Sequence, residues 1–129
     1  MSSFSLRKNE ILRSKKEIDS LFKNPNIIFK YPFKLYFRSF KSVDNNDIPI
    51  RFAISIPKKN IKKAVQRNLL KRRSREAYRL NKHLLEKLNE EKIEINLMFV
   101  YIATKVETFE IINKSISYIL NELLNEWSE

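Results

Sequence analysis

Eleven cationic side chains fall between Lys58 and Lys82, and a single acid, Glu76, stands among them. The cations are Lys58, Lys59, Lys62, Lys63, Arg67, Lys71, Arg72, Arg73, Arg75, Arg79 and Lys82. An arginine fork donates two parallel hydrogen bonds to phosphate oxygens, and a lysine ammonium is a mobile point charge beside it. Asn68 sits in the same stretch; its amide both donates and accepts, which suits a base, a phosphate or a hydrated ion held by RNA. So few internal partners leave such a face repelling itself, and a polyanion relieves that repulsion. The chemistry indicated is binding to a phosphate backbone.

The clustering is not a by-product of a lysine-rich composition. The formal net charge is +11; residues 1–57 carry +6 and residues 83–129 carry −5. Hydrolytic chemistry has little to work with. The aspartates are Asp19, Asp44 and Asp47, and the first 82 residues hold only Glu10, Glu17 and Glu76 as glutamates. No carboxylate cluster adjoins the cations, as a metal-dependent protein nuclease would require. Without glycine there is no Gly-rich phosphate loop, and without cysteine there is no thiolate chemistry or zinc site around the lone His83. A length of 129 residues with 43% hydrophobic content predicts one domain, residues 1–129, with one modest core. Met1 to Asn9 lacks a long apolar stretch and no membrane-length apolar run occurs, so a cytoplasmic location is expected.

The elements that must position the cations are legible as periodicities. Ser14-Lys15-Lys16-Glu17 has a capping-box pattern and leads into Ile18, Leu21 and Phe22, a short helix stopped near Pro25. Phe33, Leu35 and Phe37 alternate with Lys34, Tyr36 and Arg38; Ile50, Phe52, Ile54 and Ile56 alternate with Arg51, Ala53 and Ser55. Both are strands, joined by the turn cluster at 44–49 as a hairpin-like pair, with Ile27-Ile28-Phe29 as a short edge strand. Ile95 to Ala103 is apolar on both faces, as a central strand is. Residues 107–127 place Phe109, Ile112, Ile116, Ile119, Leu120, Leu123 and Trp127 on one side of a long helix. The basic segment predicts a helix over 64–88. A wheel of about 100° per residue turns Val65, Leu69, Leu70, Ala77, Leu80, Leu84 and Leu88 inward and the cations outward, with Arg73 at the edge. The expected fold is an α+β two-layer sandwich in the order α-β-β-β-α-β-α, its sheet covered by helices.

Two readings stand for Tyr36 between Lys34 and Arg38: a stacking platform for single-stranded bases, or a ring packed beneath a helix. For Ile18 and Phe22, one helical turn apart, core packing is the favoured reading. A basic amphipathic helix on a membrane surface is the rival use of the cations, but its apolar side is committed to the sheet and the cationic arc lacks Trp or Phe anchors.

The residues Lys58-Lys59, Ala64-Val65, Arg67-Asn68, Lys71-Arg72 and Arg75-Glu76 together resemble the arginine-rich signature of the bacterial ribonuclease P protein component. Supporting likeness runs over residues 6–105 and includes the helix at Leu12 to Phe22 and Ala103-Thr104-Lys105. The resemblance implies a four-stranded sheet with a left-handed βαβ crossover, of the ribosomal protein S5 domain 2 type. It implies a subunit that binds a catalytic RNA and the 5′ leader of precursor tRNA, while the RNA performs hydrolysis with Mg²⁺ that it mainly holds itself. It further implies RNA contacts at Lys58, Lys59, Lys62, Lys63, Arg67, Asn68, Lys71, Arg72, Arg75 and Arg79, and leader contacts at Ile18, Phe22, Tyr36 and Ser55. No protein-bound metal, membrane or obligate protein partner is expected. An RNA-binding module with no processing role is the alternative. The chain departs from the family where Asn60-Ile61-Lys62-Lys63 replaces Gly-Asn with one extra residue, leaving that loop's path open; Leu69 replaces an arginine, Pro57 a serine and Ile18 an aromatic.

Overall fold

The computed structural model describes residues 11–12, 15–23, 26–41, 50–86 and 93–127. Helix α1 spans Lys15–Leu21; strands β1 (Asn26–Lys30), β2 (Phe33–Lys41) and β3 (Ile50–Ser55) follow, then helix α2 (Ala64–Asn81), strand β4 (Ile93–Tyr101) and helix α3 (Phe109–Trp127). The order matches the periodicities read above. Ser14, the 44–49 turn cluster, Leu88 and the Trp127 side chain lie outside the described part.

The four strands run β1-β2-β4-β3 across the sheet, so the expected hairpin-like pair of β2 and β3 does not form: β4 lies between them. β1 and β4 are antiparallel to β2, and β3 is parallel to β4. Parallel neighbours need a long crossover, which α2 supplies. β4 is central, and Ile95, Leu97, Phe99 and Tyr101 on one side and Asn96 and Met98 on the other are all buried. Phe33, Leu35 and Phe37 of β2 share the first side with Phe52 of β3 and meet Leu70, Ala77 and Tyr78 of α2 and Ile112, Ile116, Ile119, Leu120 and Leu123 of α3. Phe52 stacks on Tyr78 with ring centroids 3.9 Å apart, and Phe33 meets Tyr101 edge-on at 5.5 Å. Such aromatic pairs add about 0.5–1.5 kcal/mol each beyond the area they bury.

The opposite side of the sheet is covered only in part. Leu12, Leu21 and Met98 form a small buried cluster there, with Ile18, Tyr36, Ala53 and Val100 packed half-buried around it. The expectation of a sheet covered by helices therefore holds for one face; among the described residues α1 alone packs on the other.

The basic helix is rotated from its predicted orientation. Val65, expected inside, is 80% exposed, and Leu69, Leu80 and Leu84 are only half-buried. The buried stripe is Leu70, Ser74, Ala77 and Tyr78, roughly a quarter turn away on the wheel. Ser74 fits this stripe because its hydroxyl donates to the Leu70 carbonyl at 2.6 Å, so it is buried with its hydrogen bond made. Tyr78 supplies the ring that fills the space over Phe52. The helix also ends earlier than 88: Asn81 donates through Nδ2 to the Ala77 carbonyl and to Asn113 Oδ1 of α3, and a 3₁₀ turn at Lys82–Leu85 then carries Leu85 into the core.

Candidate nucleic-acid interface

Turning α2 by a quarter changes which cations share a surface. Asn68, Lys71, Arg72, Arg75, Glu76 and Arg79 line one open groove along its outer side. Asn68, Arg72 and Arg75 are exposed and Lys71 is half-buried. Arg79 bonds to the Glu76 carboxylate, Nε to Oε2 at 3.1 Å with a second contact through Nη2 and Oε1. That hydrogen bond holds the Glu76 carboxyl below its ordinary range and raises the Arg79 guanidinium. Arg79 thus meets any phosphate in competition with its own neighbour. No acid stands in the first turn of α2 and Lys63 caps without a side-chain bond, so the positive end of the helix dipole adds to the local cations.

The loop between β3 and α2 has a defined path despite lacking the Gly-Asn pair. The Asn60 and Ile61 amides donate to the Pro57 carbonyl at 3.0 and 3.1 Å. Asn60 Nδ2 donates to the Tyr101 carbonyl at 3.0 Å, tying the loop to the end of β4, and Ile61 is buried beneath it. Lys58, Lys59, Lys62 and Lys63 are left exposed. Arg67 reaches back, its Nη1 donating to the Ile61 carbonyl at 2.9 Å and the Lys62 carbonyl at 2.7 Å. This is an internal role beyond the RNA contact that the resemblance implied for Arg67. Arg73 behaves as its edge position implied, with Nη1 donating to the Glu107 carbonyl at 2.6 Å.

A second groove was missed. Lys62, Lys63 and Gln66 face Thr104, Lys105 and Val106 across Asn60 and Ile61. The 102–107 connection is pinned for this: Tyr101 Oη donates to the Lys105 carbonyl at 2.6 Å and accepts from the Glu107 amide at 3.0 Å. Burial pushes the Tyr101 phenol up, and a hydrogen bond to Glu107 raises that of Tyr31. Forty residues separate the two sides in sequence, and only the parallel pairing of β3 with β4 brings them together. The family likeness at Ala103-Thr104-Lys105 was the available signal.

The part-covered sheet face collects the other candidates. One row across the strands reads Ile27, Tyr36, Met98, Ala53, and the next reads Phe29, Lys34, Val100, Ser55. Ile18 of α1 is half-buried on this face, in agreement with core packing. Phe22 is not core: it is 47% exposed, with its ring 4.8 Å from that of Tyr36 at a 55° tilt. Tyr36 is packed against the small cluster and half-open, with Lys34 Nζ 5.6 Å from its ring centre. Ser55 is half-buried at the β3 end of the second row, three residues before the lysine loop. The four residues Ile18, Phe22, Tyr36 and Ser55 thus share one face, and the cationic loop opens from its edge. Among the described residues no three His, Asp or Glu side chains converge, and no helix is long and apolar enough to cross a membrane.

The family model for ribonuclease P matches residues 6–125. The chain belongs to the ribonuclease P protein family. Among curated relatives, the ribonuclease P protein component of Porphyromonas gingivalis strain W83 is 32% identical over 114 residues, 88% of this chain and 82% of the relative. That of Chlorobium phaeobacteroides is 31% identical over 128 residues, 92% of this chain and 88% of the relative. Among solved structures, the RNase P protein of Thermotoga maritima superposes with a TM-score of 0.67 at 22% identity, covering 88% of this chain and 96% of that one. The Staphylococcus aureus RNase P protein gives 0.63 at 20% identity, covering 88% and 94%. These two support the fold: a mixed α+β protein with a four-stranded sheet. As a ribonuclease P protein component, the chain is a subunit of a ribonucleoprotein endonuclease, and its partner is the ribonuclease P RNA.

Proposed function

We propose that this single domain binds the ribonuclease P RNA through the outer face of α2 and the 58–63 loop, and holds the 5′ leader of precursor tRNA on the part-covered sheet face. The observation that carries the reading is the adjacency of the two surfaces: a cationic loop begins three residues after Ser55, at the edge of a face bearing Phe22, Tyr36 and Lys34. Phosphates of the RNA meet Lys58, Lys59, Lys62, Lys63, Lys71, Arg72 and Arg75 directly. The Asn68 amide both donates and accepts, Arg79 joins by exchanging Glu76 for phosphate, and Arg67 holds the loop that presents the lysines. Screening of RNA against RNA substrate lowers the Mg²⁺ concentration that folding and cleavage require. In this reading the RNA mainly holds the Mg²⁺. Tyr36 and Phe22 stack leader bases with little sequence preference, and Ser55 offers a hydroxyl at the entrance from the loop. The subunit works in the cytoplasm without an obligate protein partner.

Cleavage of a 5′-extended precursor tRNA by a ribonuclease P RNA at low Mg²⁺, with and without this protein, tests the reading. Strong stimulation at the mature 5′ end, with none by the protein alone, is expected. Tight RNA binding with no stimulation, repeated with RNA from the same source, would leave an RNA-binding module without a processing role.

A further inference from the structure

The sheet register carries the aromatic face past the residues singled out from sequence. Ile27 stands beside Tyr36, and Phe29 stands beside Lys34, both on the outermost strand. Ile27 is 43% and Phe29 58% exposed. Phe22, itself exposed, packs on Tyr36, so Phe22, Tyr36, Ile27 and Phe29 form one apolar stretch instead of scattered single residues. Edge strands are commonly protected by outward charges or proline, and an open apolar edge strand invites association. Apolar stretches of this kind mark binding surfaces. Lys34 stands between Tyr36 and Phe29, and neither cross-strand row contains an acid. Flat apolar side chains alternating with a cation suit stacked bases joined by phosphates, and do not suit an acidic or a purely apolar partner.

We propose that β1 extends the leader platform, with Phe29 and Ile27 taking bases of the leader's 5′ portion, beyond those at Tyr36, and Lys34 meeting the phosphate between them. This rests on the leader reading above. The direction follows from the sheet order. The RNA that cuts the substrate is held at the lysine loop after β3, so the leader leaves the cleavage site at the β3 side. Met98 of β4 is buried against Leu12 and Leu21, so the leader passes β4 at the half-buried Val100 beside α1, then crosses β2 and reaches β1 last, three strand spacings or about 14 Å on. Contacts at β1 are therefore available only to longer leaders.

The test is the affinity of the reconstituted protein–RNA enzyme for precursor tRNAs whose leaders are lengthened one nucleotide at a time. Phe29→Ala is expected to remove the last increments of affinity, on the order of ten-fold for the longest leader, with the loss confined to long leaders. Phe29→Tyr, which keeps a ring to stack, is expected to restore them. Tyr36→Ala is expected to weaken every precursor whose leader reaches β2. A Phe29→Ala loss that is the same at all leader lengths, or no loss at any, would overturn the extension while a Tyr36→Ala loss left the leader reading standing. Silence of both variants would remove the leader reading itself. If Phe29→Ala leaves the length dependence intact and instead abolishes a protein dimer seen by sedimentation, β1 is a self-association edge and the extension fails.

Discussion

Arg67 separates two ways a cation can serve an RNA-binding protein, and replacing it distinguishes them. Its Nη1 donates to the carbonyls of Ile61 and Lys62, closing the end of the lysine loop onto the first turn of α2. Hydrogen bonds from a charged donor contribute about 1.5–3 kcal/mol each. One of the two is exposed to solvent, so the pair together stabilises by about 2 kcal/mol. In a domain of this size that lowers the unfolding temperature by about 8 °C in Arg67→Ala. Arg67→Lys is the informative variant: it keeps the charge, but an ammonium cannot hold two carbonyls in the guanidinium's planar geometry. Its unfolding temperature is expected to fall nearly as far as that of Arg67→Ala. Both variants should also weaken RNA binding, because Lys62 and Lys63 lose their fixed positions. Thermal unfolding by circular dichroism, paired with RNA affinity across a salt series, reads both effects. An Arg67→Lys protein as stable as the parent, together with an Arg67→Ala protein whose salt slope drops by about one phosphate contact with no loss of stability, would make Arg67 a phosphate ligand and refute the clamp.

The remaining expectations are simpler. Arg72→Ala, on the open groove of α2, should reduce the salt slope of RNA binding by about 0.7–0.9 with almost no change in unfolding temperature; an unchanged slope removes Arg72 from the contact surface. Tyr36→Ala should weaken leader-bearing precursor by about 1–3 kcal/mol and mature tRNA hardly at all, and equal losses for the two would rule out a leader role. The Glu76–Arg79 pair lowers the folded pKa of Glu76, so its contribution is present above the ordinary value of 4.5 and is lost as pH falls through the lowered folded value. Glu76→Gln should abolish that part of the acid dependence and, by releasing Arg79, tighten RNA binding at neutral pH; weaker binding would mean that Glu76 positions Arg79 for RNA and does not compete with it. Tyr78→Ala, beneath Phe52, should cost about 3–5 kcal/mol of stability, measured by urea unfolding, and a cost under 1 kcal/mol would show that α2 is anchored elsewhere.

The strands were readable because β2 and β3 each bury one side, so Phe33-Leu35-Phe37 and Ile50-Phe52 alternate openly with polar residues. α3 was readable for the corresponding reason at helical spacing. The inward side of α2 was not, because its stripe contains Ser74 and Tyr78, whose polarity conceals their burial, while Val65 at the first turn points the wheel the wrong way. The cationic segment announced itself through charge alone, but charge does not say which guanidinium faces its own backbone; Arg67 and Arg79 differ from Arg72 only in what the fold places beside them. The groove at Lys105 and the apolar rows that run out to Phe29 depend on strand pairing, which a linear pattern does not contain.

Of the surfaces proposed to bind, the α2 groove and the aromatic face lie on different layers of the sandwich, while the lysine loop opens from the edge of the aromatic face. The cationic groove is on the outer side of α2, the aromatic face is on the far side of the sheet, and the stacked Phe52 and Tyr78 rings lie between them. In the proposed reading the core is a gauge block: its thickness sets how far a leader on the sheet face stands from an RNA on α2. Changes of core volume too small to unfold the chain would still displace a substrate that the core never touches.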